Sequence, residues 1–320
     1  MRAAAGKRGF QVARHFNLVG IAAMHLGAVW ALWHYGWRPL DVAIAVGFYV
    51  LRMFAITGGY HRYFSHRTFK TSRVFQFLLA LVGTTATQKG PIWWAAIHRR
   101  HHRESDGPND VHSPLQRGFW YSHIGWVLSA EHEAYDEREV RDLVKYPELR
   151  WLDRWHVVPV VATIALTLAL GGMRGLTWWY CVSTVALLHG TFTINSLSHV
   201  FGKRRFATTD DSRNNWLLAI VTMGEGWHNN HHRWQSSTNQ GFYWWEYDVT
   251  YWILEALSLA GVVSDLRTPP QKVLDEGRRG TPAPFREVVA NKLDAVAGQA
   301  SELGEKVRDA VSLPSPADAE

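Results

Sequence analysis

Residues 176–198 read LTWWYCVSTVALLHGTFTINSLS, and the residue after them is His199. The stretch carries no Asp, Glu, Lys or Arg. A helix rises about 1.5 Å per residue, so about 20 residues cross a ~30 Å hydrocarbon core. Trp178, Trp179 and Tyr180 near its start suit the membrane–water interface. Near its other end Asn195 and His199 stand four residues apart, so on a helix they share a face. The run therefore predicts a membrane span that finishes in groups able to bind a metal.

Three further runs are of similar kind: 17–35 (NLVGIAAMHLGAVWALWHY), 40–57 (LDVAIAVGFYVLRMFAIT) and 155–171 (WHVVPVVATIALTLALG). With 176–198 they pair into two hairpins across the turns GWRP and GMRG. Segment 74–87 (VFQFLLALVGTTAT) is too short to span, and it is expected to lie in the interface or re-enter. With four spans, the N-terminus, residues 58–154 and everything from 200 onward share one side. Both hairpin turns carry a single Arg, whereas Arg2, Lys7, Arg8, Arg14, Arg99, Arg100 and Arg103 lie on that shared side, which marks it as cytoplasmic. The competing reading is a soluble helical bundle, because Arg52, His25, His34 and His189 are poor lipid-facing residues.

The rest of the chain fits this division. Residues 1–16 are basic and are read as a cytoplasmic arm, since no small-residue cleavage site follows them. Residues 17–266 form the membrane domain. Residues 267–320 divide into a linker (RTPPQKVLDEGRRGTPAP), an amphipathic helix over FREVVANKLDAVAGQASELGEKVRDAV and a disordered tail. The net charge of +6 would suit a nucleic-acid surface, but four apolar runs do not. A single cysteine, Cys181, excludes an internal disulfide, a C-x-x-C pair and a thiolate metal site within one chain.

The strongest local signal is a repeated pattern. IHRRHH holds His98, His101 and His102, and GWHNNHH holds His228, His231 and His232, both spaced H-x-x-H-H. With 17 His in 320 residues, random placement gives roughly 0.05 such patterns per chain. Residues i, i+3 and i+4 of a helix share a face, so each box can present its rings together. A third box, YHRYFSHRT, holds His61 and His66, whose spacing of five does not share a helix face and predicts a helix end or a distorted turn. With His199 this gives nine histidines, all expected on one side of the membrane. Imidazole suits iron, copper, zinc and nickel, and nine rings exceed what one octahedral ion accepts, so two metals are implied. His15, His112, His132 and His156 belong to no box and are read as surface or packed residues. His25 and His34 are read as packing or interfacial residues.

These motifs resemble those of the membrane-bound fatty acyl desaturases, in particular the stearoyl-CoA desaturases and the cyanobacterial and other bacterial delta-9 enzymes. The likeness runs from about residue 40 to 265 and rests on GGYHRYFSHRTFK, IHRRHH, RGFWYSHIGW, NSLSHVFG and GEGWHNNHH. It implies an all-α integral membrane protein, four transmembrane helices with a helical cytoplasmic cap around a histidine-rich di-iron site. The implied ligands of the two iron ions (Fe2+) are His61, His66, His98, His101, His102, His199, His228, His231 and His232, with Asn195 reaching one metal through a water. Gln88, Trp94 and Thr191 fall where members of the family shape the bend in the acyl tunnel. Animal members carry basic CoA-binding residues shortly after the HIGW-type motif, but here Ala130 and Glu131 stand there, and Ile97 replaces an acidic residue before the second box.

The activity expected is O2-dependent insertion of a cis double bond, at the delta-9 position, into a saturated acyl chain carried by CoA or lipid. General acid–base groups cannot remove hydrogen from an unactivated methylene, whereas a metal–oxygen oxidant can, beside a tunnel that fixes one C–C bond. The chain lacks flavin, NAD and iron–sulfur signatures, so an external electron donor protein of the ferredoxin, cytochrome or reductase type is expected. The expected location is the bacterial inner membrane, multi-pass, with the site facing the cytoplasm. The rival readings are a di-iron membrane hydroxylase and a membrane metal-binding or transport protein, which would place its ligands along the spans.

Overall fold

The structure is a computed structural model and describes residues 17–280. The chain is mostly helical. Helix α1 spans Asn17–Tyr35 and α2 spans Pro39–Ser65. They are followed by β1 (Lys70–Thr71), α3 (Arg73–Thr84) and α4 (Pro91–Glu104), and then by α5 (Pro147–Arg154), α6 (Val157–Arg174) and α7 (Ser183–Asn195). The last elements are α8 (Trp216–Val221), α9 (His228–Arg233), α10 (Val249–Leu259), β2 (Val263–Ser264) and α11 (Gln271–Arg279). Against an all-helical expectation, β1 and β2 pair antiparallel and tie residues 70–71 to 263–264.

Among the described residues, three helices are long and apolar enough to cross a membrane: Asn17–Tyr35, Pro39–Ser65 and Val157–His199. The third is not one rod. Gly172 inside it has φ 58° and ψ −153°, a region essentially closed to residues with a Cβ. A Cβ on the neighbouring Gly171 would meet the Trp179 ring at 2.6 Å. The chain turns back here, so α6 and α7 stand as two apolar segments joined by the π-wound stretch Gly175–Val182. At the same turn Arg174 donates to Asp41 Oδ2 (2.6 Å), and Trp179 Nε1 donates to Asp41 Oδ1 (3.0 Å), clasping the second hairpin to the start of α2.

Arg52, an awkward residue for a lipid-facing helix, is buried instead. Its guanidinium donates to Thr184 Oγ1 (2.7 Å), Ser183 Oγ (2.5 Å) and Phe48 O (3.1 Å), which satisfies its fork between α2 and α7. The short α3 begins at a Ser72 cap that accepts from Phe75 N and buries Gln76, Leu79 and Ala80. Helix α4 starts at Pro91, and its first free amides, Ile92 N and Trp93 N, both donate to Asp153 Oδ1 from α5 (3.1 and 2.8 Å). A carboxylate there also favours the positive end of the helix dipole. This fixes the helix that carries the second histidine box.

Two boundaries differ from the sequence reading. The second apolar helix runs on to Ser65, past the expected end at 57, because the chain widens into a π-helix over Ala55–Ser65 without breaking. Within the expected linker, Gln271–Arg279 is a helix that buries Val273 against Phe206, Phe242 and Tyr243, while Glu276 pairs with Arg233 (2.5 Å). An apolar residue on one face was enough to dock it, and the charged residues around it masked that signal. The N-terminal arm, with His15, and the predicted amphipathic helix and tail after 280 lie outside the described residues.

Candidate metal centre

Four segments far apart in sequence deliver the histidines. His61 lies in the π-wound end of α2, and His66 follows it as the helix cap, its amide donating to His61 O (3.2 Å). A π-helix bonds i to i+5, so the H-x-x-x-x-H spacing that an α-helix would spread around its barrel brings both rings together, 4.9 Å apart. His98, His101 and His102 ride on α4, His199 ends the 3-10 turn Leu197–His199 beyond α7, and His228, His231 and His232 occupy α9.

The nine rings gather into two groups. His61, His66, His98, His102 and His231 form the first, and His101, His199, His228 and His232 the second. Each H-x-x-H-H box is therefore divided. The outer pair of the α4 box joins the first group and His101 crosses to the second, while on α9 the outer pair joins the second and His231 crosses to the first. His102 and His232, with centroids 4.4 Å apart, bring the two groups side by side.

The first group does not work as a hydrogen-bonded cluster. Its Nε2 atoms form a chain of contacts: His66–His98 2.8 Å, His98–His102 2.9 Å, His102–His231 2.9 Å and His231–His61 3.0 Å. An imidazole nitrogen is either a donor with one hydrogen or an acceptor, never both. The three middle atoms each face two nitrogens, so hydrogens alone cannot satisfy the chain, whereas a cation among the lone pairs can. In the second group, His101 Nε2 and His232 Nε2 are buried with no hydrogen-bond partner among the described residues. Both observations fit metal ions.

The opposite edges of four rings are held by carboxylates. His61 Nδ1 faces Glu225 Oε2, His101 Nδ1 faces Asp110 (2.9 Å), His199 Nδ1 faces Asp106 (2.9 Å) and His232 Nδ1 faces Asp210 (2.6 Å). A carboxylate accepting at Nδ1 fixes the tautomer that leaves Nε2 as a bare lone pair and makes it more basic. Burial would raise Asp106, Asp110 and Asp210, but the facing His199, His101 and His232 outweigh it and hold them below the usual carboxylate range. Burial, reinforced by neighbouring imidazoles, holds His66, His98, His102, His228 and His231 well below the ordinary histidine range. This favours the neutral form, which a metal ligand must take. Glu225 is itself held by Arg62 Nη2 (3.0 Å), whose Nη1 donates to Asp248 (2.8 Å).

These carboxylates went unread in the sequence. Asp106 and Asp110 follow the second box within eight residues, and Glu225 precedes His228 by three. That proximity was the available signal, but Glu225 serves His61 and not its own helix. His112 is a further residue that sequence reasoning set aside. It is buried, its ring centroid lies 4.2 Å from that of His101, and its amide donates to Asp110 (3.3 Å). His132 is buried away from the two groups, His25 Nε2 lies 2.9 Å from His189 Nε2, and His34 stacks on Trp30.

A cavity lined by His61, His98, His101 and His228 also takes in Asn195, Met53, Ile56 and Thr57. A second, lined by Asn17, Lys89, Met24 and Leu188, abuts it, and both share Gln88, Trp93, Trp94, Trp126 and Phe192. At that junction Trp94 Nε1 donates to Gln88 Oε1 (3.2 Å) and Gln88 Nε2 donates to Thr191 Oγ1 (2.9 Å). The structure thus brings Gln88, Trp94 and Thr191 into one hydrogen-bonded trio beside the histidines. The two cavities differ away from this junction: Lys89 of the second pairs with Glu133 (2.8 Å), whereas the apolar Met53 and Ile56 line the first.

Comparison with known proteins gives a consistent picture. The family model described as fatty acid desaturase matches residues 36–264. An acyl-CoA 5-desaturase of Anemone leveillei is 34% identical over 259 residues, covering 80% of this chain and 80% of the relative. An sn-2 palmitoyl-lipid 9-desaturase of Nostoc sp. is 34% identical over 263 residues, covering 81% of this chain and 92% of the relative. An sn-1 stearoyl-lipid 9-desaturase of Anabaena variabilis is 34% identical over 259 residues, covering 80% and 94%.

Proposed function

Because the chain belongs to the fatty acid desaturase family, we propose that it inserts a cis double bond, at the delta-9 position, into a saturated acyl chain held beside two iron ions. The observation that carries this reading is the pair of imidazole groups against a cavity lined by the hydrogen-bonded Gln88, Trp94 and Thr191. His61, His66, His98, His102 and His231 would hold one iron. His101, His199, His228 and His232 would hold the other, with Asn195 reaching it through water. Bound there, the irons would supply the oxidising chemistry, in which O2, two electrons and two protons take two hydrogens from adjacent carbons and leave two waters.

The rest is the work of the chain. Glu225, Asp110, Asp106 and Asp210 aim His61, His101, His199 and His232 and fix their tautomers. The trio Gln88–Trp94–Thr191 bends the acyl chain so that one C–C bond stands at the histidines, and apolar walls exclude water from it. The end lined by Asn17 and Lys89 suits the polar acyl carrier, and the Met53–Ile56 end suits the methyl terminus. The delta-9 position and a lipid-linked chain are supported by the two cyanobacterial relatives, which are named lipid 9-desaturases. CoA remains a second carrier, supported by the relative named an acyl-CoA desaturase.

Around this site we read residues 17–266 as the membrane domain, crossing four times as α1, α2, α6 and α7. The cap and both termini face the cytoplasm of a bacterial inner membrane. An external one-electron donor would supply the reducing equivalents. The test is expression in cells, with iron determined on the purified protein and acyl products resolved as free, CoA-linked and lipid-linked species. New cis-9 product and two irons per chain are expected. A hydroxylated product would instead make this the hydroxylase of the same chemistry, and full activity with zinc alone would end the redox reading, because zinc has no redox chemistry.

A further inference from the structure

Helix α1 has two kinds of face. Leu18, Val19, Leu26 and Val29 are exposed, as lipid-facing residues of a span are, whereas Met24 and Ala28 are buried in one cluster with Tyr180, Leu188 and Phe192. At its middle the helix is tight on its neighbours. A Cβ on Gly27 would meet Cys181 Sγ at 2.8 Å, and His25 Nε2 lies 2.9 Å from His189 Nε2, whose ring reaches His123 Nε2 through Nδ1 (2.9 Å). At its start Asn17 Nδ2 donates to Glu133 Oε1 (3.3 Å). Between these two fastenings Gly20 stands on the wall of the second cavity, and among the described residues a Cβ there would meet nothing within 4 Å. Residues 17 to 25 of a helix rise about 12 Å, so the fastenings frame a window of that height in the wall. The lipid-facing Val19 stands at its edge.

The cavity behind the window offers no free charge. Among its lining residues Lys89 alone is ionic, and it is engaged: Nζ pairs with Glu133 (2.8 Å) and lies 4.3 Å from the centre of the Trp93 ring. Arg117 is likewise held by Glu131 (3.2 Å), two residues before Glu133. The phosphates of CoA need uncommitted cations in exchange for the water they give up. The acyl ester of a glycerolipid is uncharged, and its headgroup stays at the bilayer surface while the chain enters. The lining suits that second carrier. Met24, Leu188 and Phe192 give an apolar wall to a hydrocarbon chain, and Asn17 at the rim offers an amide to an ester carbonyl.

We propose that the window at Gly20 is a side entrance through which the acyl chain of an intact membrane glycerolipid slides from the bilayer into the cavity, so that of the two carriers the lipid-linked one is the substrate. The chain passes between Asn17 and His25 and runs on to Gln88 and Trp94, where the second cavity abuts the first. The contact of His25 with His189 keeps α1 fastened below the entrance, and the missing side chain at residue 20 keeps the entrance clear. This rests on the desaturase reading of the cavity and on α1 as a span.

The experiment places the full chain in nanodiscs of dioleoyl phosphatidylcholine. Two photoreactive probes carry the same diazirine-bearing stearoyl chain, one as a phosphatidylcholine in the bilayer and one as the CoA thioester, and crosslinked peptides are mapped by mass spectrometry. The lipid probe should label the peptides of Met24, Leu188 and Phe192. Gly20→Trp should cut that labelling about tenfold or more by filling the window. Val19→Trp, equal in bulk but facing the bilayer, should leave it near the parent's. Unlabelled distearoyl phosphatidylcholine should compete with the probe, and stearoyl-CoA should not. Undiminished labelling in Gly20→Trp, or labelling of the same peptides by the CoA probe as strong as by the lipid probe, overturns the entrance. Should Gly20→Trp misfold, the parent's labelling by the two probes and their competition carry the decision. The desaturase reading fails separately: the parent would take the lipid chain into the cavity yet, given iron, O2 and a reductant, leave both stearoyl carriers saturated.

Discussion

Asp210 shows how much of the centre depends on residues that touch no substrate. It lies 2.6 Å from His232 Nδ1, while Nε2 of the same ring is buried without a hydrogen-bond partner among the described residues. Asp210→Asn keeps the shape but removes the charge that orients and enriches the ring. Metal affinity should fall about 10–100-fold, read as iron retained after dialysis against a graded chelator series. His101→Ala and His231→Ala remove proposed ligands outright, one from each group, and desaturation should drop below detection in acyl profiles of cells with matched membrane levels of protein. Unchanged product from His231→Ala would mean the repeated box binds no catalytic metal. His112 packs on His101, so His112→Ala should lower product to an intermediate level, whereas His132→Ala, away from both groups, should leave most of it.

Among the elements, two departures from regular α-helix set the site. The π-wound end of α2 turns a five-residue spacing into adjacent rings, and the break at Gly172 lets α7 return so that Asn195 and His199 reach the other histidines. A side chain at Gly172 must adopt φ 58° with ψ −153°, which costs about 1–3 kcal/mol. Gly172→Val should therefore lower the melting temperature of the purified protein while leaving its metal content per folded chain unchanged. A variant as stable as the parent would mean the hairpin does not turn there. Helix α11 teaches a different lesson: a stretch with Pro and charge on both sides still folds, because Val273 finds Phe206 and Tyr243 waiting.

For the whole molecule, the proposed four-pass arrangement makes a topology prediction from the same geometry. All nine histidines meet in two adjoining groups, so the ends of α2 and α7 that deliver them lie together, and the turns near Gly36 and Gly172 lie at the opposite ends of these helices. In a Cys181→Ala background, cysteines placed at Arg38 and Met173 should label from the outside with a membrane-impermeant maleimide. One at Lys145 should label only after permeabilisation. If Lys145 and Met173 labelled from the same side, the four-pass arrangement would have to be abandoned.

The sequence by itself determined what local chemistry determines. Apolar runs of membrane length, the H-x-x-H-H spacing and a tryptophan-flanked hairpin are properties of neighbouring residues, so the apolar segments, the short α3 and the nine histidines could be read before any folding. The expected distortion at His61 and His66 was legible for the same reason, as a spacing that an α-helix cannot accommodate. Only the tertiary structure decided how each box divides between two groups, which carboxylate serves which ring, and where His112 and α11 pack. Glu225 meets His61 and Asp106 meets His199 across 164 and 93 residues of chain. Such pairs are chosen by the packing of whole helices against one another, and no periodicity within a single helix records them.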